Sequence, residues 1–142
     1  YCHVAHGCAV GNRVIMSNCA QLAGEVTVED DAIVGGMTGV HQFCRIGSLA
    51  MVGAGVKIRQ DCPPYMIVDG QPPQAIGPNV VGMQRHGVPS ETRALIKEAY
   101  RLMYREGLNR SQAMERIHYE ITDCPEIQHL ISFVKASERG VL

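Results

Sequence analysis

Residues 4–58 read VAHGCAVGNRVIMSNCAQLAGEVTVEDDAIVGGMTGVHQFCRIGSLAMVGAGVKI, and every sixth residue of this stretch is aliphatic or methionine. That series consists of Val4, Val10, Met16, Leu22, Val28, Val34, Val40, Ile46, Val52 and Ile58. A second series, two places earlier in the period, holds small or β-branched residues: Cys8, Val14, Ala20, Val26, Ala32, Thr38, Cys44, Ala50 and Val56. A six-residue period fits neither an α-helix nor simple strand alternation. It indicates one short strand and one corner per hexad, with three hexads in each triangular coil of about 18 residues.

We therefore predict a mainly β fold, a left-handed parallel β-helix of hexapeptide repeats, in which residues about 18 apart stack on one another. Five glycines are expected to supply the corner conformations: Gly11, Gly24, Gly35, Gly47 and Gly53. A stack of about three coils leaves an open edge and a small core. We therefore expect further coils to precede Tyr1.

The repeat is expected to stop after Ile58, because Pro63 and Pro64 cannot continue a ladder of backbone hydrogen bonds. The predicted domains are a β-helix with a proline-rich exit over residues 1–78 and a C-terminal three-helix subdomain over residues 79–142. Its amphipathic helices are predicted from a Ser90 cap to Glu106, over about residues 111–122, and after Pro125.

Composition excludes several classes of function. A formal net charge of −1 gives no basic surface for nucleic acid, and no apolar run is long enough for membrane insertion. The six cysteines form no CxxC pair, so we favour reduced cysteines in a cytoplasmic protein over a disulfide framework.

The coil geometry predicts that His3, His6, Glu25 and His41 gather along one edge of the prism, with Gln42 in the column of His6. A neutral imidazole is a natural general base, and a nearby carboxylate would stabilise its protonated form. No side chain beside it is an obvious nucleophile, which favours direct transfer to a substrate hydroxyl. The alternative is that these are ordinary surface histidines, as we expect for His118 and His129 of the tail.

A zinc site of the γ-carbonic anhydrase kind would need an HxxxxH pair, whereas this chain has HxxH at residues 3–6. We therefore predict no metal and no cofactor.

Five motifs resemble the UDP-N-acetylglucosamine acyltransferase family: HVAHGC (3–8), LAG (22–24), GGMTGVHQFC (35–44), DCPPY (61–65) and GPNVVGMQR (77–85). The likeness runs over the whole chain and implies the C-terminal half of such a protein. It implies a cytoplasmic homotrimer with active sites between subunits. Such an enzyme moves an (R)-3-hydroxyacyl chain from acyl carrier protein to the 3-hydroxyl of UDP-N-acetylglucosamine, the first step of lipid A biosynthesis.

The resemblance implies that His6 is the catalytic base. It also implies substrate-binding roles for His3, His41, Gln42, Asn79 and Arg85. The small side chain of Ala54 matches the position that limits acyl length, which predicts a medium-to-long chain.

The chain departs from the family pattern at two positions, Gly7 and Glu25, where the family usually has aspartate and histidine. Because these positions share a column, Glu25 is a candidate for the missing acid; contact with sugar or solvent is the equal alternative. The departures leave open a 3-amino sugar acceptor, an acyl-CoA donor or a non-catalytic β-helix. A basic stripe on the first tail helix, Arg93, Lys97, Arg101 and Arg105, is either a docking face for the acidic carrier or an ordinary solvated face.

Overall fold

The computed structural model describes residues 1–142. The strands are β1 (His3–Val4), β2 (Ala9–Val10), β3 (Ile15–Met16), β4 (Gln21–Leu22), β5 (Thr27–Val28), β6 (Ile33–Val34), β7 (Gly39–Val40), β8 (Arg45–Ile46), β9 (Met51–Val52), β10 (Lys57–Ile58), β11 (Met66–Asp69) and β12 (Gln74–Pro78). The helices are α1 (Val80–Arg85), α2 (Ser90–Tyr104), α3 (Arg110–Glu120) and α4 (Pro125–Lys135). None of them combines the length and apolar character that a membrane-crossing helix needs.

The strands form the three faces of a left-handed parallel β-helix, which confirms the predicted fold class. Face 1 contains β1, β4, β7 and β10, face 2 contains β2, β5 and β8, and face 3 contains β3, β6, β9 and β11, with β12 antiparallel to β11. On face 1, His3 lies opposite Gln21, and Gln21 lies opposite Gly39. Stacked partners are therefore 18 residues apart, as the hexad pattern predicts.

Two-residue turns join the faces, and the stacked turns form three edges. Edge 1–2, between faces 1 and 2, holds residues 6–7, 24–25 and 42–43. Edge 2–3 holds residues 12–13, 30–31 and 48–49, and edge 3–1 holds residues 18–19, 36–37 and 54–55.

The predicted role of the repeat glycines is wrong. The second residue of each turn has a positive φ whatever its type, and the non-glycine cases in edges 1–2, 2–3 and 3–1 are Arg13, Cys19, Glu25, Asp31, Met37, Phe43 and Leu49. The glycines that we expected in this role have no positive φ; instead they leave space for a neighbouring coil. A Cβ on Gly47, for example, would lie 2.4 Å from the backbone nitrogen of Pro64.

The interior of the β-helix is filled by the two six-residue series, with Leu22, Ala32 and Ile46 fully buried. Val4 and Val10, in the first coil, are 48% and 43% exposed because no coil covers them from above. The sequence pattern therefore identified the core correctly.

The six-residue repeat ends after Ile58, as predicted, but parallel pairing between coils continues beyond it. Cys62 bridges Ile46 in parallel, and β11 pairs in parallel with β9 through Ile67 and Met51. Partners are 18 residues apart at Ile58 but 16 apart at Cys62, so the coil shortens between these two residues. The buried Pro63 and Pro64 follow this bridge and belong to no strand. A fourth, shorter coil therefore precedes the hairpin formed by β11 and β12.

The three predicted tail helices are present as α2, α3 and α4, with the short α1 in addition. Ser90 is the first residue of α2 rather than its cap, and that helix ends at Tyr104. Asn109 caps α3 through a reciprocal capping box with Gln112. The helical core also includes Tyr65 and Met66, which precede residue 79, so the proposed division at 78/79 stays a prediction.

Candidate functional site

His6 lies in edge 1–2, and its imidazole covers the backbone of Gly24 in the next coil. A Cβ built on Gly24 would lie 2.6 Å from His6 Nε2 and 2.8 Å from Cε1. The ring fits because residue 24 has no side chain. His6 is exposed, and its ring nitrogens have no hydrogen-bond partner within the chain. Both ring nitrogens are therefore open to solvent rather than engaged within the chain.

Glu25 lies in the same edge and extends in the opposite direction, back over Gly7. A Cβ on Gly7 would lie 2.0 Å from Glu25 Oε1, and the backbone N–H of Glu25 donates to the carbonyl of His6 at 3.0 Å. The carboxylate therefore fills the space that a side chain at residue 7 would take. It makes no hydrogen bond or ion pair with the His6 ring in the isolated chain.

His3 and His41 lie on the outer surface of face 1, beside an open trough of about 510 Å³ that we call the face 1 trough. Its lining residues are His3, Ala5, Gln21, Leu22, Ala23, Gly39, Val40, His41, Lys57, Ile58 and Arg59, with no acidic side chain among them. His41 Nδ1 lies 3.2 Å from the carbonyl oxygen of Gln42, so Nδ1 is the donor in that bond. Donation from Nδ1 leaves Nε2 available to substrate. Gln42 itself is exposed in edge 1–2.

Asn79 and Arg85 lie beside edge 2–3, away from His6. The Asn79 side chain is 5% exposed, donates to the carbonyl of Leu49 at 2.8 Å and accepts from the N–H of Gly82, which caps α1. Because its amide is engaged within the chain, a contact between Asn79 and substrate stays a prediction. Arg85 is the exposed last residue of α1.

His86, directly after α1, lies beside the ion pair of Arg13 and Asp31 in edge 2–3. His86 Nε2 lies 3.4 Å from Asp31 Oδ1, and Arg13 donates twice to the Asp31 carboxylate, at 2.7 and 3.0 Å. The hydrogen bond from Arg13 holds the pKa of Asp31 below its usual range. The adjacent Arg85 therefore lies near edge 2–3.

Ala54 lies on edge 3–1, exposed beside the small residues Gly36 and Gly55. Met37, in the same edge, is 73% exposed. The candidate residues are thus divided among three edges: the catalytic candidate His6 on edge 1–2, the substrate-binding candidates Asn79 and Arg85 beside edge 2–3, and the acyl-length candidate Ala54 on edge 3–1.

The basic stripe on α2 is partly neutralised. Arg101 pairs with Glu98 and Glu106, and the hydrogen bond from Arg101 lowers the pKa of Glu98. Arg93 donates to the carbonyl of Val88. These contacts favour an ordinary solvated helix face over a docking face.

The expectation that His129 is a free surface residue is wrong. His129 Nε2 lies 2.7 Å from Glu29 Oε2, which also accepts from the backbone N–H of Ser48 at 2.8 Å. This contact joins α4 to the β-helix between residues 100 positions apart, and no sequence signal indicates it.

Comparison with known proteins identifies the family of this chain. The family profile described as UDP-N-acetylglucosamine O-acyltransferase, domain 2, matches residues 61–142. Curated relatives named acyl-(acyl-carrier-protein)–UDP-N-acetylglucosamine O-acyltransferase include those of Alkalilimnicola ehrlichii, 45% identical, and Thiobacillus denitrificans, 41% identical. Each alignment covers 100% of this chain and 55% of the relative, so the chain spans about half the length of these relatives.

Solved structures indicate the same family. The UDP-N-acetylglucosamine acyltransferase of Bacteroides fragilis is 38% identical with a TM-score of 0.98, and LpxA of Acinetobacter baumannii is 42% identical with a TM-score of 0.94. Each match covers 99% of this chain and 55% of the solved chain. Sequence identity over the whole chain and agreement in fold together show that this chain belongs to the UDP-N-acetylglucosamine O-acyltransferase family.

Proposed function

We propose that this chain is part of an enzyme that transfers an (R)-3-hydroxyacyl chain from acyl carrier protein to the 3-hydroxyl of UDP-N-acetylglucosamine, the first step of lipid A biosynthesis. The names of the relatives supply the two substrates. The observation that carries the proposal for this chain is the position of His6, an exposed imidazole without a partner, beside the trough that holds two more histidines.

In the proposed reaction, His6 removes the proton from the acceptor hydroxyl as its oxygen attacks the thioester carbonyl. The resulting tetrahedral oxyanion collapses, the carbon–sulfur bond breaks, and the imidazolium returns its proton to the departing thiolate. No covalent enzyme intermediate is needed. Cys8, two positions after His6, donates its thiol to the carbonyl of Ala23 rather than to His6, which supports direct transfer.

We further propose a homotrimer with active sites between subunits, because one chain cannot bring edge 1–2 and edge 2–3 together. The outward residues of face 3 support this proposal: Ile15 and Met51 are 55% and 39% exposed, and Ile33 and Ile67 stack between and beyond them. An exposed apolar ladder of this kind marks an interface between proteins. The corresponding ladder on face 1 is mostly polar, with His3, Gln21 and Lys57.

The proposed packing sets face 1 of one copy against face 3 of the next, with edge 3–1 at the threefold axis. Edge 1–2 of the first copy then meets edge 2–3 of its neighbour, so His6 faces the neighbour's α1 and Arg85. An acyl chain that starts at His6 would run inward between the face 1 trough and the neighbour's apolar ladder. It would end at the small Ala54, near the axis.

The cytoplasm is the proposed location, because it supplies both acyl carrier protein and nucleotide sugars. The six free cysteines fit a reducing compartment.

The test is to assay the full-length protein with UDP-N-acetylglucosamine and 3-hydroxyacyl carrier protein. We expect turnover by the wild type and a fall in kcat of about 10²–10⁴-fold in His6→Ala. His118→Ala is the matched control, since His118 is exposed on α3 and distant from the edges, and it should keep wild-type turnover.

Other substrates distinguish the alternative functions. Preference for a 3-amino sugar nucleotide, or for acyl-CoA over the carrier protein, would replace the proposed acceptor or donor. Unchanged turnover in His6→Ala would contradict the role of His6, and absence of turnover with every pair would favour a non-catalytic β-helix.

Mixed trimers test the shared site. His6→Ala and Arg85→Ala chains should each be nearly inactive alone, but co-expression should restore roughly a quarter of wild-type activity, because about one interface in four then receives both intact edges. If each chain held a complete site, mixing would restore nothing.

A further inference from the structure

Phe43 is an exposed aromatic residue in the same edge as His6 that the proposed mechanism does not use. It is 55% exposed, whereas the chain's other phenylalanine, Phe133, is 1% exposed beneath the guanidinium of Arg45. An aromatic ring as exposed as this one does not contribute the free energy that burying it during folding would give. The exposed ring offers a flat apolar face, in the same edge as His6, against which a ligand can pack.

The backbone links Phe43 directly to the position of the His6 ring. Its N–H donates to the carbonyl oxygen of Gly24 at 3.1 Å, and Gly24 is the residue that the His6 imidazole covers. Phe43 therefore begins about one strand spacing, roughly 4.8 Å, from Gly24. Gln42, the preceding residue, brings an exposed amide to the same level of edge 1–2.

This part of edge 1–2 therefore combines a proton acceptor, an aromatic ring and an amide within about two coils. The Glu25 carboxylate is directed away from Phe43, towards Gly7. A sugar presents matching chemistry: C–H groups on one face of a pyranose ring pack on aromatic carbons, while its hydroxyl and amide substituents form hydrogen bonds at the rim.

We propose that Phe43 packs against the pyranose ring of the acceptor and holds its 3-hydroxyl against His6. This inference rests on the proposed function, since it takes N-acetylglucosamine linked to UDP as the acceptor. Phe43 is then a specificity-determining residue that recognises the sugar rather than the nucleotide.

The experiment measures binding of UDP-N-acetylglucosamine and of UDP by calorimetry, in full-length wild type and in Phe43→Ala. In the wild type we expect the sugar nucleotide to bind more tightly than UDP. In Phe43→Ala its affinity should fall about tenfold while UDP binding stays unchanged. Phe43→Tyr keeps the ring and should bind like the wild type, and Tyr119→Ala, an exposed aromatic on α3, is the matched control.

Each other outcome has a defined meaning. Equal losses for UDP and UDP-N-acetylglucosamine would place the ring against uracil and overturn the proposal, as would unchanged binding of both. A change in oligomeric state, measured by sedimentation, would assign Phe43 to the subunit interface instead. If the wild type binds neither ligand, the proposed function itself fails, whatever the variants do.

Discussion

Replacement of Gly24 by alanine tests whether the observed position of the His6 ring is the catalytic one. The new methyl carbon would lie 2.6 Å from Nε2 and 2.8 Å from Cε1, whereas ordinary van der Waals contact begins at 3.4 Å. The ring must therefore retreat by about 0.8 Å, the difference between 3.4 and 2.6 Å. The backbone can stay in place, because Gly24 has no positive φ and the obstructing atoms belong to a rotatable side chain.

A displacement of the His6 ring by this distance should lower kcat much more than it lowers the stability of the fold. Misplacement of a reacting group by about 1 Å can cost roughly 10²-fold in rate. We therefore expect Gly24→Ala to lower kcat by about 10²-fold in steady-state assays with UDP-N-acetylglucosamine and acyl carrier protein substrates. The KM for the acceptor and the Tm should change little.

Gly77→Ala is the matched control. Gly77 lies in β12, has no positive φ, and nothing lies within 4 Å of its added Cβ, so this variant should keep wild-type kcat and Tm. Wild-type kcat in Gly24→Ala would refute the reasoning, since catalysis would then not depend on this ring position. A large fall in Tm would instead show that the methyl group disturbs the coil.

Three further variants test other parts of the molecule. Glu25→Gln keeps the shape of the side chain over Gly7 but removes its charge. If the carboxylate supports His6, kcat should fall at least about tenfold while the trimer keeps its size. Full activity of this variant would exclude the role. Ala54→Met should shorten the preferred acyl chain in assays over a ladder of chain lengths, while preference of the wild type for the shortest chains would contradict the assignment. Burial raises the pKa of Glu29, but the hydrogen bond and charge attraction of His129, together with the hydrogen bonds from Ser48, outweigh burial and leave the pKa lowered. A carboxyl group whose pKa is lowered by folding stabilises the fold at pH values above the ordinary carboxyl pKa, and this stabilisation is lost as the pH falls. The Tm difference between wild type and Glu29→Gln should therefore shrink from pH 6 towards about pH 3. A Tm difference that stays constant with pH would contradict this prediction.

The fold was largely predictable because the hexad pattern contains both the strand positions and the register. Once residues 18 apart are known to stack, His6 must lie over Gly24, and Glu25 must lie beside Gly7. The directions of the two side chains do not follow from the register. The available space sets these directions, since the His6 and Glu25 side chains each lie over a glycine of the neighbouring coil.

Other features were not predictable because their signals are not local. The turns accept Asp31, Phe43 and Leu49 at positive φ, so turn conformation comes from the coil geometry rather than from glycine. The contact between His129 and Glu29 forms only when α4 packs on the β-helix. Neither the types of the two residues nor their spacing in the sequence predicts this contact.

The geometry of the prism explains why the candidate site residues lie on different edges. Three faces of similar width hold any two edges of a prism apart, and a chain built from repeats cannot fold one edge onto another. A sequence that places a general base at edge 1–2 and an arginine at edge 2–3 can use both in one reaction only across a boundary between copies. The position of Arg85 is consistent with this, because α1 is held beside edge 2–3 by the hydrogen bond from Asn79 to the carbonyl of Leu49 and by His86 beside Asp31. A helix held in this way presents Arg85 outward, where the proposed contact between copies would place it beside the neighbour's edge 1–2.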